Sequence, residues 1–200
     1  MKKYLFILIL AAITAYSQNN EKKITALNNY ADSVDQLIKN SGGLPGELMT
    51  VTVNITRNER AIGMQNTKIS YFYFQSEDLV DEINGVVNFL PQYNDPLAVM
   101  VEYNIAASQT VVVYYYIQNN DILYRFISSG GYGNTSTAYW ISSQELMKYE
   151  ERNSQVGNNH IIQEEKFSKE VYSNGILVID HLKEHLKLYY DIFKVSEIDK

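Results

Sequence analysis

The segment His181-Leu182-Lys183-Glu184-His185 matches H-x-x-E-H, the inverted form of the zinc-protease helix motif. Residues four apart share a helix face, so two imidazoles can grip one metal while the glutamate polarises its water. Two features count against this chemistry. It draws a third protein ligand from well downstream, and the chain ends at Lys200, 15 residues beyond His185. His185 also lies beside the apolar stripe of its helix, where a histidine is commonly just packed and hydrogen-bonded. His181 and His185 are therefore weak metal candidates, and no cofactor is expected.

Other reactive groupings carry less. The glycine-rich Ser128-Ser129-Gly130-Gly131-Tyr132-Gly133-Asn134 comes after a strand-like run, as a phosphate loop would. The segment beyond Asn134 reads as another strand, so no helix N-terminus faces an anion, and the Walker lysine is missing. No G-x-S-x-G is present, and His160 sits in the polar run Gly157-Asn158-Asn159-His160. The acid pairs Glu77-Asp78, Asp81-Glu82, Glu150-Glu151 and Glu164-Glu165 read as turns or solvated edges. A glycosidase would need two carboxylates facing each other across a cleft, a spacing that only a fold can supply. No residue is assigned as catalytic.

The aromatic residues are harder to set aside. The chain has 17 tyrosines, and several occupy alternate positions of neighbouring strand-like runs. Rings on a rigid sheet offer flat apolar area with a polar tip at little entropic cost, which suits a sugar or a protein partner. The competing reading is cross-strand pairing that stiffens the sheet, or burial under a helix. Tyr71, Tyr73, Tyr114, Tyr116 and Trp140 are the candidate binding residues.

The elements that would position them are set by periodicity. Ile24, Leu27, Ala31, Val34, Leu37 and Ile38 recur at steps of three and four, predicting a helix over roughly 24–40 that stops at Ser41-Gly42-Gly43. Asn28, Asp32, Asp35 and Gln36 fill its other face. From Leu48 to about Val171 the pattern is β: 51–55, 69–74, 97–105, 110–117 and 136–141 are rich in β-branched and aromatic residues. Pro91–Pro96 and Ser128–Asn134 read as loops. A closing helix, roughly 176–194, comes after the turn Ser173-Asn174-Gly175, with Ile179, Leu182, Leu186, Tyr189 and Phe193 as its core stripe.

Three segments, 71–79, 114–122 and 138–146, align without gaps. Each ends an aromatic run with Phe or Ile, passes three polar residues and an acid, and resumes with Leu or Ile, predicting three hairpins on one template. Ser142-x-x-Glu145 in the third is also a helix capping box, but a strand is favoured. Alternation then places Phe72, Phe74, Leu79 and Ile83 with Tyr115, Ile117, Ile122 and Phe126 on a core face. Tyr71, Tyr73, Val80 and Glu82 fall with Tyr114, Tyr116, Leu123, Arg125 and Trp140 on a wetter one. The architecture expected is α+β: an antiparallel β-meander of Tyr-rich hairpins flanked by an N-terminal and a C-terminal helix.

Composition bounds the function. The 200 residues are 46% hydrophobic and 20% charged, with no cysteine, which excludes disorder, disulfides, thiolate metal sites and thiol nucleophiles. Met1-Lys2-Lys3, the apolar run 4–13 and Ala15-Tyr16-Ser17 form the basic, hydrophobic and small-x-small parts of a secretory signal peptide. The run is too short to span a bilayer, which takes about 20 residues. Residues 1–17 are thus expected to be removed, leaving 18–200 as a single domain. Cleavage takes away two of 17 bases and none of 23 acids, so the net charge falls from −6 to −8. Such a surface argues against nucleic acid and basic membrane docking, and with no second long apolar run no membrane insertion is expected after cleavage.

The signal ending before Gln18, the amphipathic first helix, the Y-[YF]-[FI]-x-x-x-[DE]-[LI] hairpins and the closing helix resemble small exported Bacteroidota proteins in which such hairpins recur ahead of a C-terminal helix. Those proteins carry Asn-Gly or Asp-Gly at the hairpin tips, where this chain has Ser-Glu-Asp, Asn-Asn-Asp and Ser-Gln-Glu. The resemblance implies location and architecture and no activity. The reading reached is an exported non-enzymatic binding or structural module, periplasmic or at the cell surface, whose aromatic face contacts a protein partner or glycan. The alternative is a cell-envelope hydrolase using carboxylates or a His181/Glu184/His185 metal site.

Overall fold

In a computed structural model of the chain, two helices sandwich one antiparallel sheet. Backbone is described for residues 2–41, 48–59, 63–83, 86–106, 109–130, 134–153 and 168–198, and side chains for 19–41, 48–58, 65–74, 94–104, 109–130, 134–152 and 168–193. The elements are α1 (Lys2–Asn40), β1 (Leu48–Glu59), β2 (Gly63–Ile83), β3 (Val86–Tyr93), β4 (Ala98–Ala106), β5 (Gln109–Gln118), β6 (Asp121–Gly130), β7 (Thr135–Ser142), β8 (Glu145–Asn153) and α2 (Lys169–Ile198). The sheet runs β1-β2-β4-β5-β6-β7-β8, and β3 pairs only with β2. The expected α+β meander between two helices is what forms.

Two of the three expected hairpins are present. Asn119-Asn120 joins β5 to β6, with Asn119 in the left-handed region at φ 56°. Ser143-Gln144 joins β7 to β8 with both residues left-handed, at φ 49° and 71°, as a two-residue turn matched to sheet twist requires. The tips brace each other: the Ser143 amide donates to the Asn120 carbonyl at 3.2 Å.

The first copy is not a hairpin. β2 runs straight through Gln75–Asp78 as one 21-residue strand, pairing with β1 and β4 over its first half and with β3 over its second. The pair that aligns with the two turns is Ser76-Glu77, close in kind to the Ser143-Gln144 that does turn, so tip chemistry alone does not decide; β2 continues because β3 pairs with its second half. The paired Ile83 and Val86 are separated by Asn84-Gly85. Pro91, expected in a loop, lies in β3, whose single partner leaves room for a residue without an N–H.

Losing that hairpin shifts the faces by one residue. Register places Tyr71 level with Val99, Tyr115, Tyr124, Tyr139 and Tyr149, so Tyr71 belongs with Tyr115 and not with Tyr114. Tyr71 and Tyr73 lie on the α2 face with Tyr115, Ile117, Ile122 and Phe126. Phe72 and Phe74 lie on the α1 face with Tyr116, Leu123 and Trp140. A slip of one residue exchanges the two faces of a strand, so pairing it with the wrong template position reverses its assignment. The side chains of Leu79, Val80, Glu82 and Ile83 fall outside the described residues.

Both helices are longer than their stripes predict. α1 continues without a break from Asn40 back through Gln18 and Ser17 to Lys2. Among the described residues no helix is long and apolar enough to cross a membrane. α2 starts at Lys169 and passes through Ser173-Asn174-Gly175, which was expected to turn. Ser168 caps its first turn, its Oγ accepting from the Val171 amide at 3.2 Å. Gly175 is buried over β7 and β8, and packing there overrides its poor helix propensity.

Candidate binding surface

The α2 face is covered along the middle of the helix, with depressions at its margins beside Tyr124 and Phe126 and beside Ile117 and Ile122. Val178, Ile179, Leu182 and Tyr189 are buried against the tyrosine row, each burial worth about 1.5–3 kcal/mol. Tyr115–Tyr124, Tyr124–Tyr139 and Tyr139–Tyr149 ring centroids are 5.3, 5.6 and 5.0 Å apart, and Tyr71 meets Tyr189 at 5.2 Å. Tyr71 donates its hydroxyl to the His185 carbonyl at 2.9 Å, and Tyr189 donates to the Asn94 carbonyl at 2.8 Å. Burial pushes the Tyr71 phenol up to about 12 and also raises Tyr115 and Tyr124.

Four of the five candidate rings are therefore not offered to solvent: Tyr71, Tyr73, Tyr116 and Trp140 are 0, 3, 1 and 5% exposed. They are also divided between the faces, two under α2 and two under α1. The expectation of five rings on one open face is corrected by that one-residue shift and by a helix on each side. Tyr114 alone remains half-buried, stacked on Tyr116 at 5.8 Å.

His181 is exposed on α2, while His185 is half-buried with its ring 5.8 Å from Tyr115. Burial and the neighbouring His181 charge lower the His185 pKa, opposed by Glu184. Among the described residues no three His, Cys, Asp or Glu gather in a way that could hold a metal.

The α1 face is built differently. Leu27, Ala31 and Val34 pack on Phe72, Ala98, Tyr116, Leu123 and Trp140, so α1 crosses the strands along one row. Polar side chains flank that contact. Tyr116 donates to Asp35 Oδ1 at 2.7 Å, Trp140 Nε1 to Asn28 Oδ1 at 3.1 Å, Lys23 Nζ to Ser142 Oγ at 2.8 Å, and Tyr30 to the Ile117 carbonyl at 2.7 Å. Asn28 and Asp35, expected on the solvated side of the helix, are thus two of its anchors. Burial first, then the Asp35 hydrogen bond, raise the Tyr116 pKa.

Beyond that row the face is open, and a trough of about 460 Å³ lies over β7. Its floor is the small pair Ser136 and Ala138. Register sets Arg125 and Glu150 on either side of Ala138, and Ile127 and Arg152 on either side of Ser136. Trp140 and Asn28 close the end toward α1. Lys148 Nζ sits 4.4 Å above the Trp140 ring and 3.1 Å from Glu150 Oε2. Arg152 Nε donates to Glu150 Oε1 at 2.6 Å. Burial tends to raise the Glu150 pKa, but the hydrogen bonds and charges of Lys148 and Arg152 together outweigh it and hold the carboxyl below its usual range. Arg125 lies 5.1 Å from the Tyr116 ring and pairs with Asp35 and Asp32 at 3.7 and 3.9 Å. Those distances exceed hydrogen bonds, so the guanidinium keeps donors for a ligand.

Lys148, Glu150 and Arg152 were not singled out from the sequence as site residues. Their signal was present in the alternation Lys-x-Glu-x-Arg, which puts three charges on one face of a strand. No family model, no curated protein and no solved structure matches this chain. The fold defines it as an α+β protein, an antiparallel meander with a helix on each face.

Proposed function

We propose that the protein is an exported, non-enzymatic binding module that holds a glycan in the trough over β7. The observation that carries this is the arrangement of Arg125, Lys148, Glu150 and Arg152 around a floor of Ser136 and Ala138. With Asp32 and Asp35 included, the three cations are balanced by three carboxylates. A charge-balanced set of planar donors and acceptors suits the sugar hydroxyl, which both donates and accepts. An anionic ligand would be opposed by those carboxylates and by the net negative chain. The signal-like segment 1–17 supports export.

A carboxyl serving as a glycosidase acid needs a raised pKa, whereas Lys148 and Arg152 hold Glu150 ionised. Glu150 is thus unsuited to the acid role, and we favour binding without cleavage over the hydrolase. Calorimetry against a panel of neutral polysaccharides should find a ligand whose affinity falls at least about tenfold in Arg152→Ala and in Ala138→Leu, which fills the floor. Arg152→Ala should melt only modestly lower, because Lys148 still pairs with the buried Glu150 and the Arg152 side chain is largely exposed. Binding of a protein partner and no glycan, or glycan binding indifferent to both substitutions, would overturn the proposal.

A further inference from the structure

Register extends the open half of the α1 face well past the trough. Next to the row covered by α1 lies Thr52-Ser70-Met100-Tyr114-Arg125-Ala138-Glu150, one residue from each of seven neighbouring strands. Beside it runs Asn54-Lys68-Glu102-Val112-Ile127-Ser136-Arg152, again crossing all seven. At the β1–β4 end of these rows is a second depression of about 510 Å³, lined among others by Asn54, Asn66, Lys68, Glu102, Asn104 and Thr110.

The two depressions are chemically alike. Lys68 pairs with Glu102 at 3.1 Å, as Lys148 pairs with Glu150. Thr56 donates to Asn66 Oδ1 at 3.0 Å and Thr110 to Asn104 Oδ1 at 3.3 Å. Each of those amides keeps its NH₂ donors, and each hydroxyl keeps acceptor capacity. Both ends therefore present balanced donors and acceptors. The middle is apolar: Tyr114 and Val112 are half-buried, and Ile127 is 42% exposed. Sugar rings have the same two-sided character, with C–H faces for apolar groups and hydroxyl edges for polar ones.

Resting on the glycan reading above, we infer that the second depression is a further subsite for the same ligand, which is an oligosaccharide chain lying across the strands. From β2 to β7 the sheet makes four strand steps, at about 4.8 Å each roughly 19 Å. A single sugar or a disaccharide reaches one end; a longer chain touches both and packs on Tyr114, Val112 and Ile127 between them. Joining two weak subsites through one chain raises affinity without a new kind of contact.

The test uses the full chain and two neutral probe series, β-1,4-linked glucose and β-1,4-linked N-acetylglucosamine, each as disaccharide and hexasaccharide. In at least one series the hexasaccharide should bind about tenfold or more tightly than the disaccharide. The exposed double substitution Asn66→Ala/Asn104→Ala should remove that gain and leave disaccharide binding intact, while Arg152→Ala weakens both. A hexasaccharide that binds no better than the disaccharide, or is indifferent to Asn66→Ala/Asn104→Ala, overturns the second subsite and leaves the trough standing. Failure of both lengths in both series removes the glycan reading and this inference together.

Discussion

The two faces of the sheet come from the same strands and the same alternation, yet they are finished in opposite ways. Against α2 the sheet presents aliphatic residues and a row of tyrosines, and the buried Val178, Ile179, Leu182 and Tyr189 cover them. Against α1, Leu27, Ala31 and Val34 cover one row with Ile24, Tyr30 and Ile38 packed beside them, and hydrogen bonds flank that contact. The α2 face is held by area and ring packing. The α1 face is held by directional polar contacts, and the part left uncovered is the part with chemistry to offer. A thin sheet can be stabilised from one side and leave the other free to bind.

The contrast breaks most visibly at Tyr189. Tyr189→Ala should destabilise the protein by about 3–5 kcal/mol in urea unfolding, because it leaves a cavity among Tyr71, Tyr73 and Phe193. Tyr116→Phe on the other face removes only the hydrogen bond to Asp35, keeps the ring, and should cost about 1–2 kcal/mol. Equal costs would mean that α1 is held as tightly as α2.

Alkaline titration sharpens the same contrast. Burial raises Tyr71 to about 12, so its contribution to stability is complete below the unfolded value near 10 and is lost as pH rises from there through about 12. Phenolate absorbance should therefore show the buried ladder ionising late, together with loss of structure. Smooth ionisation of all tyrosines near pH 10 with the fold intact would show the α2 face to be wet.

The smallest effect is expected at Gly175. A Cβ there would meet Leu146 Cδ2 at 3.7 Å and Tyr139 Cδ1 at 3.9 Å, ordinary contact distances. Gly175→Ala should raise the melting temperature, corresponding to a gain of up to about 1 kcal/mol from helix propensity and a stiffer unfolded chain. A lower melting temperature would mean α2 cannot shift at all over β7 and β8.

Much of this architecture is legible in one dimension. The stripe Leu27, Ala31, Val34 and the stripe Ile179, Leu182, Leu186, Tyr189 mark two helices, and the strand cores at 51–55, 69–74, 97–105, 110–117 and 136–141 all lie in or overlap strands. The tips at Asn119-Asn120 and Ser143-Gln144 are legible too, because a polar break between alternating runs is a local signal. The missing hairpin at Gln75–Asp78 is instructive, since the better turn signal, Asn84-Gly85, stands nine residues past Gln75 between two β-rich runs. Ser173-Asn174-Gly175 misleads in the same way: locally it is turn chemistry, but Ser168 starts the helix earlier and α2 packs through Gly175 over β7 and β8. Among the candidate site residues Arg125 was visible as a charge on an otherwise apolar strand. Lys148, Glu150 and Arg152 are legible as three charges on alternate positions of one strand, but which neighbours they meet is not.

Residue order determined the periods: which stretches coil, which extend, and which side chains within each strand point together. Those are short-range consequences of backbone geometry. Three-dimensional assembly decided how the strands align with one another, and thereby which rings lie under which helix and which charges meet across β6, β7 and β8. Alignment is a sum of many weak contacts between residues far apart in the chain, so a shift of one position, invisible locally, turns a surface inside out.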